Sequence, residues 1–170
     1  CSLHYGFEKC GIEDISVMRS LPNMTILECG DATEVENVLD LIYDINGPVY
    51  VRMLRGKIPR LFAKESGFKL DVPKILSNGS DIAVFSSGIC TEEAIKAIHA
   101  LTNKGLSITH VHISTLKPFN NKLMPDILAK PKYGIITMEN HSTTGGLGTV
   151  ICEKMVECGI NKKIIKLGIK

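Results

Sequence analysis

Apolar positions along the chain switch repeatedly between the helical period of about 3.6 residues and short apolar runs of the kind that form buried strands. Residues 13–21 are predicted to form a helix, because Glu13 and Asp14 stand where the positive end of the helix dipole favours acids, and Pro22 and Asn23 close it. Residues 24–29 read as a short buried strand. Asp31 then opens a second helix as its N-cap, with Glu34 in capping-box spacing and Val35, Val38, Leu39 and Ile42 on one face. The Gly47, Pro48 turn introduces a strand over 49–53. From Arg55 to Leu70 the periodicity weakens while Gly56, Pro59, Ser66 and Gly67 interrupt a basic stretch, and a linker is placed at 61–72.

A more regular series follows: strands at 82–85, 108–113, 135–138 and 164–167, and helices at 92–103, 123–128 and 148–157. In the first of these helices Ala94, Ile95, Ile98 and Leu101 share a face, and Lys104 and Gly105 end it. This alternation predicts an α/β protein: a three-layer α/β/α C-terminal domain with a mostly parallel sheet over 73–170, preceded at 1–60 by the tail of a second α/β domain. Right-handed crossovers place the strand-to-helix loops at one edge of the sheet, where ligands and partners usually sit.

Composition narrows the function classes. The chain of 170 residues is 44% hydrophobic, enough to bury a core without disulfides or metals. Its 20 basic and 18 acidic side chains are scattered, which argues against a nucleic-acid partner. The longest apolar runs, at 81–86 and 134–138, fall far short of the ~20 residues that span a bilayer, so no membrane segment is expected. The six cysteines, at 1, 10, 29, 90, 152 and 158, form no C-x-x-C pair and have no metal-ligand spacing. Free thiols in a reducing, cytoplasmic setting are expected. The chain opens on Cys1 without a basic-then-apolar leader and reads as an excised or processed piece with something upstream.

Candidate chemistry gathers in the loops 52–56, 86–91, 115–119 and 139–148. In the last, Glu139, His141, Ser142 and Thr143 precede Gly145, Gly146 and Gly148 at a helix start. Two readings stay open: the helix amides bind an anion, or the glycines permit a tight turn and His141 hydrogen-bonds locally. Arg55 follows a strand and either grips a phosphate or carboxylate or forms an interdomain ion pair. Glu13 and Asp14 are either paired acid-base carboxylates or helix-dipole partners. Cys90 is either a nucleophile or an inert buried thiol. Lys117, before Pro118, has a solvated loop as its alternative.

Read in order, G-I-E-D-I-S-V-M-R-S-L-P-N-M-T-I-L, D-A-T-E and G-P-V-Y-V-R-M-L-R-G resemble the closing part of the pyrimidine-binding domain of transketolases. D-I-A-V-F-S-S-G, H-I-S-T-L-K-P-F and I-I-T-M-E-N-H-S-T-T-G-G-L-G resemble their C-terminal domain, especially in two-gene split transketolases. The resemblance covers almost the whole chain. It implies a cytoplasmic transferase of the pentose phosphate type that moves a two-carbon ketol unit between sugar phosphates, using thiamine diphosphate and Mg2+. It further implies that the diphosphate and metal belong to an N-terminal domain or subunit, that the assembly is a homodimer or heterotetramer, and that this section alone is inactive and holds no cofactor.

By the same resemblance Arg55 matches the arginine that contacts substrate phosphate. The family's D-G-x-T-H-Q loop corresponds here to H-Y-G-F-E-K-C-G, which puts Lys9 or Cys10 where the histidine falls. A lysine binds anions but is no neutral proton shuttle at its unperturbed pKa, so His4 is the candidate to replace that histidine in space. His141 and the glycine loop are then architecture. The alternatives are an enzyme resembling deoxyxylulose-phosphate synthase or the oxoacid dehydrogenase beta subunit, and a non-catalytic assembly or anion-binding module.

Overall fold

The computed structural model describes residues 11–53, 56 and 58–170. In chain order the elements are α1 (Asp14–Ser20), β1 (Thr25–Glu28), α2 (Ala32–Tyr43), β2 (Val49–Arg52), β3 (Lys74–Ser77), β4 (Ile82–Ser86), α3 (Cys90–Thr102), β5 (Ile108–His112), β6 (Thr115–Lys117), α4 (Met124–Ala129), β7 (Gly134–Ser142), α5 (Leu147–Glu157) and β8 (Ile164–Ile169).

β4 reads as a near-continuous apolar run, and β5 is buried at all five positions, because helices cover both faces of their sheet. That sheet has the order β3-β5-β4-β7-β8 and is parallel except for β3, which runs antiparallel to β5. On one face Val84 and Ile108 meet Ala94 and Ile98 of α3. On the other, Ala83, Phe85 and Ile135 meet Met124 and Leu128 of α4 and Leu147 and Ile151 of α5. The expected three-layer α/β/α arrangement results.

A second sheet has the order β2-β1-β6, with β1 parallel to β2 and antiparallel to β6. A strand from the later half of the chain therefore completes the sheet of the earlier half. The core is continuous across both: Ile15 of α1 and Ile26 of β1 are fully buried in the cluster that contains Phe85 and Leu147. Each such burial contributes about 1.5–3 kcal/mol.

The structure adds two strands to the expected set. β3 has four residues and β6 three, too short to display a period. β3 also lies at a sheet edge with Ile75 and Leu76 exposed, so its pattern does not alternate. β7 runs to Ser142, four residues beyond its predicted end, which makes Glu139 and His141 strand residues rather than loop residues. Within 61–72 the one regular element is a 3-10 turn, Lys64–Ser66. Phe68 and Leu70 nevertheless pack on the cluster of Leu27 and Val38. Among the described residues no helix is long and apolar enough to cross a membrane.

Candidate functional site

Tyr50 and Arg52 are two residues apart on β2 and point to one face, towards α1, while Val49 and Val51 point to the cluster under α2. The parallel register sets Arg52 beside Glu28 of β1. Arg52 Nη1 donates to Glu28 Oε1 at 2.6 Å, Nε donates to Asp14 Oδ2 at 2.8 Å, and Nη2 donates to the Gly11 carbonyl at 3.2 Å. The Tyr50 hydroxyl donates to the same Asp14 oxygen at 2.7 Å. Burial opposes the guanidinium charge, but Glu28 and Asp14 outweigh it and hold Arg52 above its ordinary value. Burial, then the Asp14 carboxylate, pushes Tyr50 up to about 12, so it stays a phenol donor at neutral pH. Asp14 is thus an ion-pair and hydrogen-bond acceptor for β2, and Glu13, the N-cap residue, makes no side-chain cap bond. Lys117 is not a free loop side chain either, since its ammonium donates to the carbonyls of Arg19 and Leu21 at the end of α1.

Glu28 also lies against Gly88, whose φ is +51° and whose missing Cβ would stand 2.7 Å from Glu28 Oε1. Gly88 follows β4, whose crossover runs to β5 on one side while that of its other neighbour, β7, runs away to β8 on the opposite side. Open α/β sheets usually take their ligand there. In this chain the spot is filled by a carboxylate from the chain itself.

The helix-start loop is filled in the same way. Glu139 Oε2 accepts from Leu147 N at 2.6 Å and Oε1 accepts from Gly148 N at 2.9 Å, so an internal carboxylate satisfies the amides that would hold an anion. Burial raises the Glu139 carboxyl above its ordinary value, and the two amides partly oppose that rise. A Cβ on Gly146 would overlap Glu139 Oε2. His141 Nδ1 donates to the Ser142 carbonyl at 2.7 Å, and Nε2 accepts from Ser16 N at 3.4 Å, which fixes the orientation of the ring. Of the two readings of this loop, the tight turn with a locally bonded histidine is the one observed.

A third group joins α2 to the larger sheet. Fully buried Glu34 accepts from Gly30 N (2.8 Å), His112 Nε2 (2.9 Å) and Ser114 Oγ (2.7 Å), and pairs with Lys74. Beyond it His112 Nδ1 lies 2.6 Å from Thr91 Oγ1, which lies 3.0 Å from Ser86 Oγ, itself 2.8 Å from His110 Nε2. Burial would raise the Glu34 carboxyl, but the hydrogen bonds and charges of His112 and Lys74 prevail and bring it down to about 2. The expected N-cap is present, with Asp31 Oδ1 accepting from Glu34 N at 2.9 Å. The reciprocal bond of a capping box goes instead to the Gly30 amide.

Between the first turn of α2 and the chain leaving β2 lies a pocket of about 260 Å3, lined by Cys29, Asp31, Val35, Met53, Gly56 and Ile58 among others. Arg55, Lys9 and His4 lie outside the described residues. Gly56, next to Arg55 in the chain, lines this pocket. Cys90 begins α3, but burial, followed by Glu28 and Glu139, pushes its thiol up to about 11, which makes it an unreactive thiol at neutral pH. Among the described residues no group of three or more His, Cys, Asp or Glu could hold a metal ion. Sequence reasoning passed over Glu28, named Arg52 only as the start of a loop and Glu34 only as a cap residue, and passed over Lys74 and His112. The signal for the first two was present, as a charge at the end of each of two apolar strands.

A family model described as "Transketolase, C-terminal domain" matches residues 73–170. The chain is 35% identical over 159 residues to a "Putative transketolase C-terminal section" of Methanocaldococcus jannaschii, covering 92% of this chain and 49% of that protein. It is 29% identical over 159 residues to a 1-deoxy-D-xylulose-5-phosphate synthase of Caldanaerobacter subterraneus, covering 93% of this chain and 25% of that one. Among solved structures, "Split gene transketolase, inactive beta4 tetramer" superposes with a TM-score of 0.89 at 30% identity over 94% of this chain and 53% of the other. The chain thus spans half or less of the length of these curated relatives.

Proposed function

The chain belongs to the transketolase C-terminal domain family, and from that premise we propose that it is the C-terminal section of a thiamine-diphosphate-dependent transketolase that moves a two-carbon ketol unit between sugar phosphates. The observation that carries this reading is the extent of the likeness to the split-gene transketolase chain. It reaches over 94% of the sequence, well beyond the 73–170 family match. Residues 1–60 are then the tail of the pyrimidine-binding domain, 61–72 the linker and 73–170 the C-terminal domain.

An N-terminal section supplies the diphosphate and Mg2+ site, and the bound cofactor supplies the carbanion chemistry. This section's own residues orient the sugar phosphate and fix the two sections against each other. The phosphate end enters the pocket beside Gly56, with Arg55 as its guanidinium contact and Lys9 and His4 in the altered loop before α1. The ion-paired group of Asp14, Glu28 and Arg52 holds that loop's end, at Gly11, to β2.

The test is reconstitution. The chain is combined with its N-terminal section, and ketol transfer from a ketose phosphate to an aldose phosphate is followed with and without thiamine diphosphate and Mg2+. Turnover is expected only when both sections and the cofactor are present, and Arg55→Ala is expected to raise the sugar-phosphate KM by about tenfold or more. Failure of the complete mixture with every sugar-phosphate pair would sink the reading. The likeness to deoxyxylulose-phosphate synthase supports a second reading. Formation of deoxyxylulose phosphate by the same mixture, without ketol transfer, would decide for it.

A further inference from the structure

We infer that Glu34 and His112 are positioning residues, through which the C-terminal sheet fixes both walls of the pocket at the ends of β1 and β2. One wall is the first turn of α2 with Cys29 and Asp31, and the other is the chain that leaves β2 through Met53, Gly56 and Ile58. The walls are fastened to each other just beyond the pocket. Asp31 Oδ2 accepts from Leu61 N at 2.6 Å and from Phe62 N at 2.9 Å. Thr33 Oγ1 donates to the Phe62 carbonyl at 3.1 Å and accepts from Arg60 at 3.0 Å, while Arg60 also pairs with Glu36.

Those bonds tie the walls to one another but not to the rest of the molecule. Beside the backbone pairing of β1 with β6, a side-chain link to the larger sheet is made by Glu34, whose carboxylate meets the Gly30 amide on one side and His112, Ser114 and Lys74 on the other. Two of these C-terminal residues also touch the second wall's extension. The Phe62 ring packs on the His112 ring with centroids 5.0 Å apart, and Lys74 Nζ lies 4.5 Å from the Phe62 centroid. Approach is close enough that a Cβ on Gly30 would stand 2.8 Å from His112 Cε1. A buried carboxylate with four donors has essentially one available position, so the walls inherit the rigidity of the β5 and β3 backbones. Mere space filling would not need this donor set. Glu34→Gln conserves volume but replaces one acceptor oxygen with an amide NH2, which then faces a donor of Lys74 or His112.

The inference rests on the reading that this pocket receives the phosphate end of the sugar. It is tested on the assembled two-section enzyme with Glu34→Gln and His112→Asn. The sugar-phosphate KM is expected to rise about tenfold while kcat stays within about twofold. Amide exchange in the peptide over 58–63 is expected to accelerate in both variants. Thr91→Val, which leaves the bond from His112 to Glu34 in place, should move both readouts less in the same direction. Unchanged exchange in both variants overturns the inference whatever KM does, and faster exchange with unchanged KM overturns it as well, because the walls then do not meet the sugar phosphate. Where Glu34→Gln fails to assemble, Ser114→Ala, which deletes one donor to Glu34, carries the same readouts. A wild-type enzyme that transfers no ketol unit defeats the functional reading, and the exchange result still decides whether Glu34 and His112 hold the walls.

Discussion

A guanidinium buried between two carboxylates is stable only as a set. Arg52 is in this position, with 14% of its side chain exposed and Asp14 and Glu28 on either side. Removing it leaves two acids with little access to water and no counter-charge. Arg52→Gln is therefore expected to destabilise the chain by about 3–5 kcal/mol, the range for breaking a buried pair from one side. Urea unfolding at neutral pH checks this, and a loss under ~1 kcal/mol, the worth of a surface pair, would contradict it. The residue types were visible in the sequence, but their partnership was not. Asp14 looked like a helix-dipole acid because it opens a helix, and only the packing of α1 over β2 turns its carboxylate to Tyr50 and Arg52.

At the scale of elements, the start of α5 shows how a local pattern is completed from elsewhere. The helix has no side-chain cap from its N-cap residue, Gly146. Its first amides are taken by Glu139, projected from the buried face of β7. Gly146 leaves room for that carboxylate, so Gly146→Ala is expected to cost about 2 kcal/mol or more through overlap with Glu139 Oε2. Glu139→Gln keeps one acceptor oxygen and should cost about 1–2 kcal/mol at neutral pH. Thermal melting of the two variants should reproduce that order, and a neutral Gly146→Ala would refute the assignment. Elements with a full turn or more of periodicity, such as α2 and α3, were legible in advance. β3 and β6 were not, because β3 lies exposed at an edge without alternation, the three residues of β6 carry no period, and their pairing is decided by β5 and β1.

Across the whole molecule, the polar chain from Glu34 to His110 joins α2 to the larger sheet and links stability to pH. Burial, helped by His112, pushes His110 down to about 4 from an ordinary 6.5. The unfolded chain binds a proton at His110 as pH falls through 6.5 and the folded chain does not, so stability is full above 6.5 and declines towards pH 4. Glu34 is depressed from 4.5 to about 2, so its contribution is full above 4.5 and is lost as pH falls towards 2. Denaturation followed from pH 7 to 2 should show a decline beginning near 6.5 and continuing below 4.5, each stage on the order of 3 kcal/mol. His110→Gln should remove the upper stage and leave the lower one. A flat wild-type profile between pH 6.5 and 4 would overturn this account.

The sequence by itself determined the α/β class, the order of the main strands and helices, and the family, because apolar period, turn residues and short motifs are local properties of a chain. Tertiary structure decided which charges meet and which edges stay open. Glu28 and Arg52 are 24 residues apart, Glu34 and Ser114 are 80 apart, and Ser16 and His141 are 125 apart. No local pattern encodes such contacts. They arise because the apolar faces of α1 and β1 must be buried in the core shared with the larger sheet, and that of α2 against β1 and β2. That burial brings Glu28 to the glycine where a ligand usually sits and leaves the pocket beside β2 open.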